Sequence, residues 1–269
     1  MPESFERTPI AGSPISVVLP AHNVEAHLVD TIRNWTEFLD SLQRDYEIIL
    51  VDDGSSDGTA KAAAELAEQR TRIKVLTHPS QRGFGACLRS GLAAARHPLF
   101  CYSTCNAIYQ PRELQRLLER IDRVDLVSGY RAGRPLPPLL RTIGFCWRWF
   151  SRIVFGIPLE PLPGWLGREA CAYQKLIRLL FGVRIGDTDS AFKLFRREIF
   201  DKIPIQSDGE FVHAEVLAKA NFVGCLMDEV GLEETAEWRS DPQRFRELRH
   251  VFRCPDFGRV SGKVAQASG

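Results

Sequence analysis

Four times between residues 15 and 131 a short apolar run gives way to a polar loop and then to a helix-forming stretch, and this alternation restricts the fold more than any other feature. The apolar runs are Ile15–Leu19, Tyr46–Val51, Ile73–Leu76 and Leu99–Thr104, with a fifth at Asp125–Gly129. Between them lie stretches with helical spacing or composition: Glu25–Leu42, residues 57–70, Gly85–Arg96 and Arg112–Ile121, the last opened by Pro111. Repeated strand-then-helix units demand right-handed crossovers, which predicts an α/β fold with a mainly parallel sheet covered by helices on both faces. Ligands of such sheets bind beyond the carboxyl ends of the strands. The loops at residues 20–25, 52–59, 78–85 and 103–111 are therefore the ones to search for chemistry.

The most distinctive of these is VDDGSSDGT, residues 51–59. A strand delivers Asp52 and Asp53 to its end, Gly54 permits a tight turn, and Asp57 precedes a helix as a capping residue. Gly83-Phe-Gly85 invites a dinucleotide-binding reading, but Leu88 stands where the third glycine of that fingerprint belongs. His213 and Glu215 share a helix and read either as a metal or acid–base pair or as ordinary helix residues.

Lys and Arg number 35 against 34 Asp and Glu, so a net charge of +1 offers no argument for nucleic acid. The local balance differs: from Arg131 to Gly186 nine basic residues face two acidic ones, and Trp147, Trp149 and Trp165 lie among them. Helices expected at about 138–155 and 166–182 flank a proline-rich break. Cations beside aromatic faces suit contact with an anionic membrane surface; core helices with solvated arginines are the other reading. No run approaches the roughly 18 apolar residues a spanning helix needs. The N-terminal MPESFERTPIAG lacks an apolar segment, so no secretory signal is expected. The seven cysteines include no C-x-x-C pair, and reduced thiols of a cytoplasmic protein are expected.

Three early segments, PAHNVEAHL (20–28), VDDGSSDGT (51–59) and QRGFGACLRSG (81–91), resemble those of family-2 glycosyltransferases of GT-A fold. VSGYR (127–131), GDTDSAFKLFRR (186–197) and FVHAEVLAKA (211–220) resemble later motifs of the dolichol-phosphate mannose synthase-like branch. The resemblance covers roughly residues 15 to 232. It implies one GT-A domain over 15–235: a nucleotide-sugar half (15–131), basic aromatic interfacial helices (132–186) and an acceptor half (187–235), between tails at 1–14 and 236–269. It also implies an inverting transferase moving a sugar from a nucleoside diphosphate to a polyprenyl phosphate or other lipid-linked acceptor at the cytoplasmic membrane face.

Carried across residue by residue, the resemblance implies that Pro20, Ala21, His22, Asp52 and Asp53 border the nucleotide, with Arg82 and Gly83 close by. Arg131 would face the acceptor phosphate, and Asp187, Arg196 and Arg197 would line the reaction cleft. The family's metal-binding Asp-x-Asp pair falls at Thr104 and Asn106, and the glutamine often found two residues on falls at Ile108. A hydroxyl and an amide are poor ligands for magnesium or manganese, so no metal ligand is expected here. Without a cation, charge on the departing diphosphate needs another partner. Arg196 is the first expectation, because a guanidinium holds phosphate oxygens in a fixed fork. Loss of the carboxylates also allows a second reading: a catalytically inactive relative that binds nucleotide as a partner or regulator.

Overall fold

The computed structural model describes residues 8–105, 109–131, 185, 187–233, 251 and 256–257. The interfacial helices expected at 138–155 and 166–182 lie outside the described residues, as do Asn106 and Ile108. The described strands form one seven-stranded sheet. They are β1 (Ile15–Ala21), β2 (Tyr46–Asp52), β3 (Ile73–Thr77), β4 (Leu99–Tyr102), β5 (Leu126–Arg131), β6 (Lys193–Arg196) and β7 (Met227–Leu232). Their order is β3-β2-β1-β4-β6-β5-β7. Only β6 runs against its neighbours, pairing antiparallel with both β4 and β5.

Strands buried on both faces read as continuous apolar runs, which is why β1 and β2 stood out in the sequence. Val17, Leu19, Ile48 and Leu50 pack on one side with helix α1 (Glu25–Ser41), α2 (Thr59–Gln69) and α4 (Leu114–Ile121). Alternate residues Val18, Ile49 and Val51, with Phe100 and Tyr102, face α3 (Phe84–Ala94) and α5 (Val212–Phe222) on the other. In α1 the stripe Leu28, Ile32, Trp35 and Leu39 is buried as its spacing required.

Two boundaries differ from the sequence reading. Pro111 opens a 3₁₀ turn, Pro111–Glu113, before α4 begins. The strand expected to reach Thr104 stops at Tyr102, because β6 begins opposite it at Lys193 and supplies no ladder partner beyond. Strand β1 pairs with β2 on one side and β4 on the other, so the chain direction across the sheet reverses there. That switch point opens a crevice at the ends of β1 and β4, where Ala21 and Ser103 emerge.

Candidate active site

The loops that follow β1 and β2 are knitted together by hydrogen bonds. Asp53 N donates to Ala21 O (2.8 Å), and His22 Nδ1 donates to Asp53 O (3.0 Å). Asn23, with φ of 52°, accepts from Ser56 N through its side chain. Val24 N donates to Thr59 Oγ1, Glu25 N to Asp57, and Gly58 N back to Glu25, so the first turns of α1 and α2 cap each other. Asp57 caps its own helix too, accepting from Thr59 N. Pro20 and Ala21 close β1 opposite Val51 and Asp52.

Asp52 is buried and accepts from Ser55 N (3.2 Å). Gly54 turns with φ of 65°, and a Cβ there would lie 2.5 Å from the Ser80 backbone. That close approach brings the 78–83 loop over the β2 end. Asp53 holds it: Oδ1 accepts His78 Nδ1 (2.7 Å) and Arg82 N (2.9 Å), and Oδ2 accepts Gly83 N (2.7 Å). Burial alone would raise its carboxyl pKa, but the His78 bond and the two amides outweigh burial and hold it below the usual range. Asp53 thus lies among the residues expected to border nucleotide, yet its oxygens face the protein's own loop. Gly83, at φ of 100°, leads directly into α3, and exposed Arg82 projects from the same turn.

Asp53, His78 and Cys87 form a buried oxygen, nitrogen and sulfur cluster. Its spacing is that of a hydrogen bond rather than a metal site, since two ligands about 2.0–2.1 Å from a tetrahedral zinc stand about 3.3 Å apart. Burial and the Asp53 charge also push the Cys87 thiol far above its ordinary value, away from the thiolate that metals bind.

Across the switch point, Ser103 and Thr104 follow β4. Among the described residues neither hydroxyl oxygen, both buried, has a hydrogen-bond partner, nor has that of Thr188 in the facing loop. Tyr109 joins the two loops, stacking on Phe192 and reaching Ser190 Oγ at 3.5 Å. Residues 187–190 are all buried; Asp187 accepts from Asp189 N, and Lys193 Nζ donates to Ser190 O. Among the described residues of the β4 turn, Ser103 and Thr104 offer only neutral side-chain oxygens. By themselves two hydroxyls are poor ligands for a hard divalent cation; the described carboxylates of the facing loop are Asp187 and Asp189.

The two arginines are placed differently from the sequence expectation. Arg196 pairs with Leu99 at the amino end of β4, the end opposite the crevice. Its guanidinium is buried among the carbonyls of Thr8, Ile121, Asp122 and Val124. Arg197 follows at the same end, its N–H bonded to Pro98 O. Neither reaches the crevice: the antiparallel direction of β6 carries them away from it. The basic residue that β6 does bring to the carboxyl end of β4 is Lys193, opposite Tyr102 and fully buried. Arg131 ends β5 at that same edge of the sheet. Glu215 accepts from Gln206 N and Ser207 N and pairs with Lys219 (2.8 Å), which makes it a brace for the 204–207 loop. His213 bonds Tyr102 Oη through Nδ1 (3.2 Å) and packs on Phe84.

The mostly parallel sheet with its crevice at the β1/β4 switch point has the architecture of the GT-A class of nucleotide-sugar transferase folds, the fold of the solved structures on which it superposes. The chain belongs to glycosyl transferase family 2, whose model matches residues 16–204. It is 29% identical over 220 residues to glycosyltransferase AglD of Haloferax volcanii, covering 80% of this chain and 32% of that protein. It is 26% identical over 189 residues to the undecaprenyl-phosphate 4-deoxy-4-formamido-L-arabinose transferase of an Enterobacter species, covering 70% of this chain and 50% of the relative. The chain therefore spans about a third to a half of these relatives' lengths. Among solved structures, glucosyl-3-phosphoglycerate synthase of Mycobacterium tuberculosis with UDP superposes with a TM-score of 0.62 at 21% identity, over 91% of this chain and 82% of that one. The same enzyme with Mn2+, UDP and phosphoglyceric acid gives 0.61 at 20% identity, over 91% and 81%.

Proposed function

We propose that this chain transfers a sugar, with inversion, from a nucleoside diphosphate to a polyprenyl phosphate or another lipid-linked phosphate, without a tightly bound metal. The observation that carries the reading is Asp53 fixing the Arg82–Gly83 turn at the carboxyl ends of β2 and β3, on the side of the sheet where the switch point between β1 and β4 opens. Pro20, Ala21 and His22 border the base and ribose, and Arg82 attends the diphosphate. The acceptor phosphate is supported by the undecaprenyl-phosphate relative.

In this reaction an acceptor phosphate oxygen attacks the sugar's anomeric carbon as the bond to the diphosphate breaks. The nucleoside diphosphate leaves with the electron pair. An ionised phosphate needs no general base; Asp187 would serve a hydroxyl acceptor. Charge gathers on the leaving diphosphate, and among the described residues the buried cation that β6 brings to the carboxyl end of β4 is Lys193 rather than Arg196. A preorganised positive group of this kind lowers a barrier by about 2.7 to 4 kcal/mol. The buried hydroxyls of Ser103, Thr104 and Thr188, which have no partner among the described residues, donate to the same oxygens. Arg131 at the β5 end attends the acceptor phosphate.

No described helix is long and apolar enough to cross a membrane. The basic aromatic stretch 132–186 is assigned to peripheral contact with an anionic membrane surface, where the acceptor resides.

Calorimetric titration with UDP, GDP and their sugar derivatives, in manganese and then in EDTA, tests the reading. Binding retained in EDTA, followed by transfer of radiolabelled sugar to undecaprenyl or dolichyl phosphate, is the expected result. Binding that needs manganese would remove the metal-free element. Nucleotide binding without transfer to any acceptor would leave the inactive relative.

A further inference from the structure

Three side chains beneath the nucleotide loop form a continuous hydrogen-bonded line. Ser90 Oγ on α3 lies 2.9 Å from His78 Nε2, and His78 Nδ1 lies 2.7 Å from Asp53 Oδ1. A carboxylate only accepts, so Nδ1 carries the proton. In the neutral ring Nε2 then accepts from the Ser90 hydroxyl. His78 is itself anchored at the end of β3, its N–H donating to Asp52 O (2.9 Å), and Cys87 Sγ packs 3.9 Å from its Nδ1.

The line ends on the carboxylate that shapes the turn. Asp53 must present one oxygen to Arg82 N and the other to Gly83 N at once, which fixes the plane of the carboxylate as well as its position. The torsion that sets that plane is soft when nothing restrains it. A donor placed at 2.7 Å on Oδ1, backed by a partner on a separate helix, restrains it. The turn in question carries Arg82 and, through Gly83, sets where α3 begins.

We infer that Ser90, His78 and Asp53 act as a relay that makes His78 a positioning residue for the Arg82–Gly83 turn, and through it for nucleotide affinity. This rests on the transferase reading above. His78 touches no substrate; it holds the group that holds the loop.

The test compares His78→Phe, which keeps a ring and removes both polar atoms, with His78→Asn, whose amide can still donate toward Asp53, and with Ser90→Ala. Three quantities are read: UDP affinity by calorimetry, hydrogen exchange at the Arg82 and Gly83 amides, and the thermal midpoint. Removing a bond to a charged group predicts a loss of UDP affinity of about tenfold or more in His78→Phe. The two amides should exchange faster by a similar factor while those of β1 and β2 keep their protection. His78→Asn should recover most of the affinity, and Ser90→Ala should fall between it and the wild type. Should His78→Phe fail to fold, exchange at the Arg82 and Gly83 amides in His78→Asn and Ser90→Ala, expected to be faster than in the wild type, carries the comparison. Wild-type affinity and protection in the variants would overturn the relay, as would equal impairment of Phe and Asn, the mark of packing alone. A wild-type chain that binds neither UDP nor GDP would bring down the transferase reading and the affinity claim together. The exchange rates would still decide whether His78 holds the turn.

Discussion

Lys193 stands opposite Tyr102 in the antiparallel pairing of β6 with β4, its ammonium 5.9 Å from the ring centroid. Arg196, three residues on, stands opposite Leu99, roughly 10 Å further along the strand. Odd spacing also turns the two side chains to opposite faces of the sheet. One basic residue therefore lies buried at the crevice end of the sheet and the other is tied to the far end.

Arg196→Ala should behave as a stability mutation. It strips donors from four backbone carbonyls in a buried setting, and a loss of roughly 1.5–3 kcal/mol is expected in urea unfolding. UDP affinity of the folded fraction should match the wild type. A collapse of turnover without loss of stability would return Arg196 to the chemistry.

Lys193→Met keeps much of the stem's volume and removes its charge. Turnover at saturating donor should fall by about a hundred- to a thousandfold, with a much smaller change in UDP affinity. Single-turnover transfer kinetics separate the two effects. Unchanged turnover would place charge compensation elsewhere.

Asp53 gives a pH signature. Its carboxyl is depressed in the folded chain, against the pull of burial, by His78 and the two loop amides. The stability it contributes is therefore fully present above its unfolded pKa of about 4 and is lost as pH falls through the lower folded value. Glu47, where burial is likewise outweighed by Lys74, Ser16 and the Arg96 amide, adds a slope of the same sign. Urea unfolding between about pH 6 and about pH 2, which brackets the ordinary carboxylate range, should show the decline. Asp53→Asn should flatten part of it and weaken UDP binding at neutral pH.

Gly85→Ala tests how closely α3 is coupled to the 206–208 loop. A Cβ at Gly85 would sit 2.2 Å from Ser207 O, where Arg89 also grips the carbonyls of Gln206 and Ser207. Overpacking against backbone should cost about 1–3 kcal/mol, read as a lowered unfolding midpoint. A midpoint equal to that of the wild type would show that the 206–208 loop moves aside freely.

Much of the architecture was legible because β1, β2 and β4 are buried on both faces and spell continuous apolar runs, while α1 carries an unbroken stripe from Leu28 to Leu39. The site was legible only as a set of loops. The family resemblance and the fixed fork of a guanidinium pointed to Arg196; only the direction of β6 shows that Lys193, not Arg196, lies at the crevice end of the sheet. His78 gave no local signal, since its role depends on Asp53 and Ser90, 25 and 12 residues away. The shape of β4's turn was misjudged by two residues because a strand ends where its partner ends, and β6 lies about ninety residues downstream.

The position of β6 has a consequence for how the chain assembles during synthesis. Strand β5 touches only β6 and β7 in the sheet, and both lie later in sequence. A nascent chain that has emerged only through residue 131 can zip β1 to β4, but it exposes the β4 edge and leaves β5 with nothing to join. The apolar β4 edge waits for Leu194 and Phe195, so the interval before they emerge is the chain's period of greatest exposure to aggregation and to chaperones.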